Sequence, residues 1–512
     1  MSEALTRRKF LTQGGRAVLV GGAAVGAAGP LLAACDWFAK ATPTSTAEVS
    51  YTFPTFTPLP DVQLVQDAIN KLMKPRYGVT VKLNPIDFGA YDQKQKLAIA
   101  AGDVQDIVYS VPWVNNYYVN VAQGALLPLD DLLKKQAPKT LASMTAQAWN
   151  ATRVKGKIYG ALNQQPWTRP IGPRVRKDLA TKYGLDLTQV NSFQDLTPWL
   201  AKVKAGEPSV TPIGYGTISD QGAPYSSALL GYEIVDGVST DAGIIGVKAD
   251  DPSLKVVNIA TLPEFRTQLD LARDWYQKGY YPAEPAGDQA TANWRAGKYA
   301  MEIGVVHRDS VGQLKATYGS EFVAKGLGRL ILTTSGIIAT MNNISRTSKN
   351  PEASMKVIEA FNIDIEIYHL ICRGIAGTHY VVTDAANGVV GFPPGVTPST
   401  DRYFPQTSWM FGNIFNDYYS SEDTVGAWPL SHKDNQSATP SRALGFAFDP
   451  TNVKTELAQV QQVQQQYGYP LIFGRIDPSS GLQTYLGKLH DAGVDKVITE
   501  IQKQLDTWKT SK

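Results

Sequence analysis

The chain has 512 residues, 43% of them hydrophobic and 19% charged, with a formal net charge of +3. This is a globular composition, not that of a disordered chain, and so small a charge excludes a polybasic footprint for nucleic acid. The length is too great for one ordinary hydrophobic core and points to two domains.

The first element is an address. Thr6-Arg7-Arg8-Lys9-Phe10-Leu11 is followed by an Ala/Gly-rich apolar run from Ala17 to Leu32, then by Ala33-Ala34-Cys35. The paired arginines form a cationic head, and the run after them is too short and too glycine-rich for a comfortable membrane-spanning helix. Small residues before a cysteine complete a lipobox. Residues 1–34 are therefore expected to be a twin-arginine lipoprotein signal peptide, and Cys35 the lipidated N-terminus. Two or three acyl chains anchor a protein stably where one does not. The expected location is the extracytoplasmic face of the cell membrane. Residues 35–47, with Pro43 among small polar residues, are a lipidated, flexible tether. No later stretch offers eighteen uninterrupted apolar residues, so no second membrane element is expected.

Val49 to Phe53 alternates as a strand, and Asp61 is placed to cap a helix with the stripe Leu64, Val65, Ala68, Ile69 and Leu72. Val79 to Leu83 is a second strand. A helix from Tyr91 to Ala101 ends at Gly102, and Asp106 to Tyr109 is a third strand. Strand-helix-strand-helix-strand with short loops implies a parallel α/β sheet, in which ligands sit beyond the carboxyl ends of strands. The loop after Tyr109 is thus a candidate site, and it holds Trp113, Asn115, Asn116, Tyr117 and Tyr118. Pro166 and Pro170 mark 163–173 as a connection between domains. Helical patterns recur at 263–278, 351–370 and 459–466, and Val494, Val497, Ile498, Ile501, Leu505 and Trp508 stripe a last amphipathic helix.

The chemistry-bearing motifs are mostly negative. Cys372 is the only cysteine besides Cys35, so a structural disulfide is not expected once Cys35 carries lipid. The five histidines show neither His-x-x-x-His spacing nor adjacent cysteines, and no metal and no cofactor are expected. No Gly-x-Ser-x-Gly elbow or phosphate loop occurs. The acidic pairs Asp130-Asp131 and Asp250-Asp251 are adjacent in sequence rather than set across a cleft, as glycoside hydrolysis requires. Aromatics are the one enrichment, with 24 Tyr, 16 Phe and 10 Trp.

Several segments together resemble one family. They include Ala101-Gly102-Asp103 leading into Asp106-Ile107-Val108-Tyr109, Gly124-Ala125-Leu126-Leu127-Pro128-Leu129-Asp130, and Gly156-Lys157-Ile158-Tyr159. Trp294-Arg295-Ala296-Gly297-Lys298-Tyr299 and the block from Leu444 to Trp508 continue the match. The chain resembles the extracellular solute-binding lipoproteins of ABC transporters, of the large carbohydrate-type group with a C-terminal extension. The resemblance implies a type II periplasmic-binding-protein-like fold, two α/β lobes joined by hinge crossings. It places 48–162 and 334–390 in lobe one, and 163–333 and 391–512, with the extension, in lobe two. The crossings fall near 163–170 and 330–338. It further implies a monomeric, non-catalytic receptor that delivers an oligosaccharide or other small solute to permease subunits, with no nucleic acid involved.

A sugar clamp needs aromatic faces for C–H surfaces and planar polar groups for hydroxyls. The candidates are Trp113, Asn115 and Tyr117 in the post-strand loop, and Trp167 in the hinge. Tyr225 in lobe two, His307 after the Met301 to Val306 strand, and Trp409 and Asn413 in an aromatic loop complete the set. Arg174 and Arg176 suit an acidic sugar or a solvated surface. Trp149, Trp199, Trp275 and Trp508 lie in helical patterns and are assigned to packing. Two alternatives remain at this stage: the same fold carrying a peptide, polyamine or metal chelate, and a lipid-anchored polysaccharide-degrading enzyme.

Overall fold

A computed structural model describes residues 46–215, 222–237, 239, 243–282 and 289–510. The export signal, Cys35 and nearly all of the tether lie outside the described residues. Among the described residues no helix is long and apolar enough to cross a membrane.

The first lobe grows from alternation in Ala47–Thr55, which buries Val49, Tyr51 and Phe53 completely. This strand pairs in parallel with Val79–Asp87 on one side and Ile107–Tyr109 on the other. Met341–Ile344 comes next, antiparallel to both of its neighbours, and Gly160–Leu162 closes the five-stranded sheet. Between the first two strands runs the Val62–Tyr77 helix, whose Val65, Ile69 and Met73 form an i, i+4 line against the sheet. It stops at Gly78, whose φ of 70° is the left-handed conformation that glycine adopts without strain. Two details differ from the sequence expectation. Leu64 faces solvent, 49% exposed, because the buried line is set by Met73 instead. Asp61 makes no side-chain cap; it pairs with Arg402 at 2.7 Å and hydrogen-bonds the His379 ring at 3.3 Å.

The second lobe has a four-stranded sheet in the order Phe322–Ala324, Ile171–Arg176, Tyr299–Val305, Thr211–Ile213. Ile171–Arg176 runs antiparallel to both neighbours, while Thr211–Ile213 lies parallel to Tyr299–Val305. A three-stranded antiparallel sheet of Tyr232–Ile234, Ile245–Lys248 and Val256–Asn258 flanks it. The C-terminal helices Lys454–Val463, Pro478–Asp491 and Val494–Thr510 join this lobe, burying Leu457, Leu482, Leu489, Val497, Ile501 and Leu505 in its core.

The segment 391–512 does not belong wholly to lobe two. Tyr403, Met410 and Phe411 pack in the first core. Phe411 lies edge-on to Tyr51 and Phe53 at 6.0 and 5.0 Å, and the Tyr403 hydroxyl donates to Ile371 O at 2.9 Å. Among the described residues three crossings therefore join the lobes: 163–170; 328–340, which leaves the second core at Leu327 and enters the first at Leu332; and a long one from Phe411 back to Ala443 in the second core. They are tied together. Asn435 on the third accepts from Trp167 N and donates to Gln165 O on the first, both at 2.7 Å.

Candidate ligand cleft between the lobes

Loops that follow strands of both sheets converge on one cavity of about 320 Å³. From the first lobe come Phe56, just beyond Ala47–Thr55, and Trp113, beyond Ile107–Tyr109. From the second come His307 and Asp309, beyond Tyr299–Val305, together with Tyr225 and Glu302. Gln165 and Arg169 of the first crossing line it, as does Trp409 at the start of the third.

One wall is aromatic. Phe56 stacks on Phe88 at 4.6 Å, Phe88 on Trp113 at 6.0 Å, and Trp113 leans on Trp409 at 5.9 Å. The indole N–H of Trp113 donates to Ala339 O at 2.7 Å, which fixes the ring against the second crossing. Both tryptophans are half-buried, so part of each ring remains free to receive an apolar surface.

The opposing wall is polar and largely neutralised. Arg174 meets Glu302 at 2.9 Å, and Glu302 has no solvent exposure. Burial pushes the Glu302 carboxyl up, while Arg174 opposes the rise. Burial, reinforced by Arg169 and Arg174, holds the His307 imidazole down at about 3, so the ring is neutral at physiological pH. Asp309 is pushed up to about 7, chiefly by burial, with the Asp417 charge adding to it, against its own backbone N–H, Gln313 and Arg373. Such a site offers stacking surface, neutral donors and acceptors, and little net charge.

Of the residues proposed from sequence, the structure brings Trp113, Tyr225, His307 and Trp409 onto the cavity wall. Tyr225 lines the cavity with its hydroxyl proton donated to Gly243 O at 2.7 Å. The other four are elsewhere. Asn115, 2% exposed with φ 46°, shapes its loop by donating to Tyr109 O and accepting from Asn120. Tyr117 is fully buried, with its hydroxyl on Thr152 O. Trp167 turns into the first core while its neighbours Gln165, Pro166 and Arg169 face the cavity. Asn413 caps a short turn by accepting from Phe415 N at 3.1 Å, and leaves the wall to Ile414. Arg174 is at the cleft, paired with Glu302, whereas Arg176 pairs with Asp178 and Gly297 O. Cys35 lies outside the described residues. Sequence reading missed Phe56, Glu302, Asp309 and Gln406. Phe56 was recoverable, since the rule that pointed to the loop after Tyr109 applies equally to the loop after Thr55.

Comparison with known proteins agrees with this architecture. Residues 58–361 match the bacterial extracellular solute-binding protein family. Residues 442–510 match a domain of unknown function, coinciding with the C-terminal helices. A carbohydrate ABC transporter substrate-binding protein of Streptococcus pneumoniae is 25% identical over 461 residues, covering 86% of this chain and 87% of the relative. The crystal structure of an N-glycan transport solute binding protein from Streptococcus pneumoniae superposes with a TM-score of 0.78 at 23% identity, covering 91% of this chain and 100% of that one. An alginate-binding protein structure has a TM-score of 0.61 at 14% identity, covering 90% of this chain and 98% of that one. Two lobes, a cleft built from the loops of both, and a family match over most of the chain agree: the protein belongs to the bacterial extracellular solute-binding proteins.

Proposed function

We propose that this chain is the extracytoplasmic receptor of an ABC importer, and that its cargo is a neutral oligosaccharide held between the lobes. The observation that carries the reading is the wall of Phe56, Trp113 and Trp409, the first two stacked on Phe88, facing hydrogen-bonding groups across the cavity. Pyranoses present just these two surfaces, an apolar C–H face and a rim of hydroxyls. Glu302 takes up the charge of Arg174, which disfavours an acidic sugar, and polyamines would require more unpaired carboxylates than line this cleft. The relatives named for carbohydrate and N-glycan transport support the same class of cargo. The receptor works as a tethered monomer: residues 1–34 direct export, lipidated Cys35 holds it to the membrane, and the closed lobes are read by the permease.

A thermal-shift screen of the purified chain against neutral oligosaccharides, acidic sugars, peptides and polyamines tests this, because a ligand that binds only the folded state raises its melting temperature. Stabilisation by neutral oligosaccharides alone is expected. Stabilisation by peptides or polyamines without any by sugars would overturn the cargo, and turnover of a bound glycan would overturn the receptor role.

A further inference from the structure

Beside Trp409 the main cavity opens into a smaller chamber of about 50 Å³. The two share Asp309, Gln313, Thr317, Gln406 and Trp409. At roughly 10–15 Å³ per water, the chamber takes about four waters, or the hydroxyl-bearing edge of one sugar residue. Its far wall holds the buried Arg373–Asp417 pair, bidentate at 2.9 and 3.0 Å, so the wall offers no free charge to attract an ion.

Two polar atoms at the junction have no hydrogen-bond partner among the described residues: Asp309 Oδ1 and Gln406 Nε2. Asp309 is 3% exposed, and its other oxygen accepts from Gln313. Gln406 has φ 59°, a left-handed backbone that non-glycine residues rarely adopt and that tends to persist at ligand sites. One atom is an acceptor and the other a donor. They come from opposite lobes, Asp309 after the Tyr299–Val305 strand and Gln406 between Tyr403 and Met410 of the first core. Leaving both dry and unpaired is costly, and adjacent hydroxyls of a sugar would satisfy both while its C–H face meets Trp409.

We propose that this chamber is a separate subsite for one further sugar residue, with Asp309 Oδ1 accepting from one hydroxyl and Gln406 Nε2 donating to its neighbour. The proposal rests on the oligosaccharide reading of the cleft. Because the chamber adjoins the main cavity at Trp409, the residue whose edge enters it is a branch or a bend of the cargo. A short linear ligand does not reach it.

Calorimetric titration of the purified chain with neutral oligosaccharides of rising size and branching, Man1GlcNAc and Man5GlcNAc among them, tests the subsite. Gln406→Gly removes the amide and suits the left-handed backbone; Asp309→Leu removes the acceptor and keeps the branch at Cγ. Both variants are expected to lose about tenfold in affinity for the larger branched ligands and less than about twofold for the smallest one bound. Equal losses for large and small ligands, no loss for any, or a wild-type chain that takes only disaccharides would overturn the subsite and leave the cargo reading intact. A wild-type chain that binds no oligosaccharide sinks the cargo reading and the subsite with it.

Discussion

Asp309 couples the cleft to pH. Its carboxyl stands at about 7 in the folded chain against an ordinary value of 3.8, with burial the main cause. The groups that face it are Gln313 on its own helix, and Asp417 and Arg373 across the chamber, which neutralise one another. As pH rises past 3.8 the unfolded chain loses this proton while the folded chain keeps it, so stability falls until about 7 and then levels. Asp309→Asn removes the titration. The variant should match wild type near pH 4 and exceed it by on the order of a few kcal/mol at pH 8, as thermal melts across that range would measure. Parallel pH profiles for the two proteins would contradict it. The same residue shows why only part of the site was legible in sequence. Trp113, His307 and Trp409 announce themselves by residue type in a loop, whereas Asp309 and Gln406 are ordinary residues made unusual by burial and backbone geometry. Asn115, Tyr117 and Trp167 are the converse: suggestive types in the right stretch, turned inward by alternate packing of a short loop.

At the scale of elements, the hinge is a packed joint. A Cβ on Gly336, in the second crossing, would stand 2.3 Å from Trp167 O in the first. Gly336→Ala must therefore push two crossings apart, and overpacking of this kind costs about 1–3 kcal/mol. The variant should unfold at lower urea than wild type with an unchanged slope, and an unaltered midpoint would refute the close approach. Elements with strong periodicity were legible. The Val62–Tyr77 helix, the three parallel strands and the Val494–Thr510 helix occupy the predicted stretches. The pattern over 351–370 looks continuous but is two helices, Pro351–Ile363 and Ile365–Arg373, because Asp364 breaks the first and caps the second by accepting from Ile367 N. In the second lobe's sheet only Tyr299–Val305 was legible, expected as Met301 to Val306; Thr211–Ile213 and Phe322–Ala324 have three residues each and order is imposed by their partners. The return of 403–411 to the first core was equally hidden, because Phe411 is recognisable as core only once Tyr51 and Phe53 are beside it.

At the scale of the molecule, the proposed receptor role calls for both a tether and a moving cleft. Cys35→Ser should abolish acylation and shift the protein from the membrane fraction to the soluble extracytoplasmic fraction, and a variant that stays membrane-bound would exclude the lipid anchor. The moving cleft can be tested at its mouth. Asn116, on the Trp113 loop of the first lobe, donates its amide to Gly237 O of the second at 3.0 Å, and also to Pro112 O at 2.8 Å. Its carbonyl oxygen accepts from Val119 N at 3.0 Å and caps the Tyr117–Ala122 helix. Asn116→Asp keeps that cap and loses the donor to Gly237, setting carboxylate against carbonyl across the mouth. A neutral hydrogen bond contributes about 1 kcal/mol, so the open state should gain about fivefold over the closed one. If ligand selects the closed lobes, affinity falls by a similar factor, because the ligand must now recover the lost closure energy. Small-angle scattering should then show the ligand-free variant more extended than wild type and the saturated variant equal to it. Weakened binding with unchanged ligand-free dimensions would place Asn116 in direct contact with cargo and remove it from the closure equilibrium.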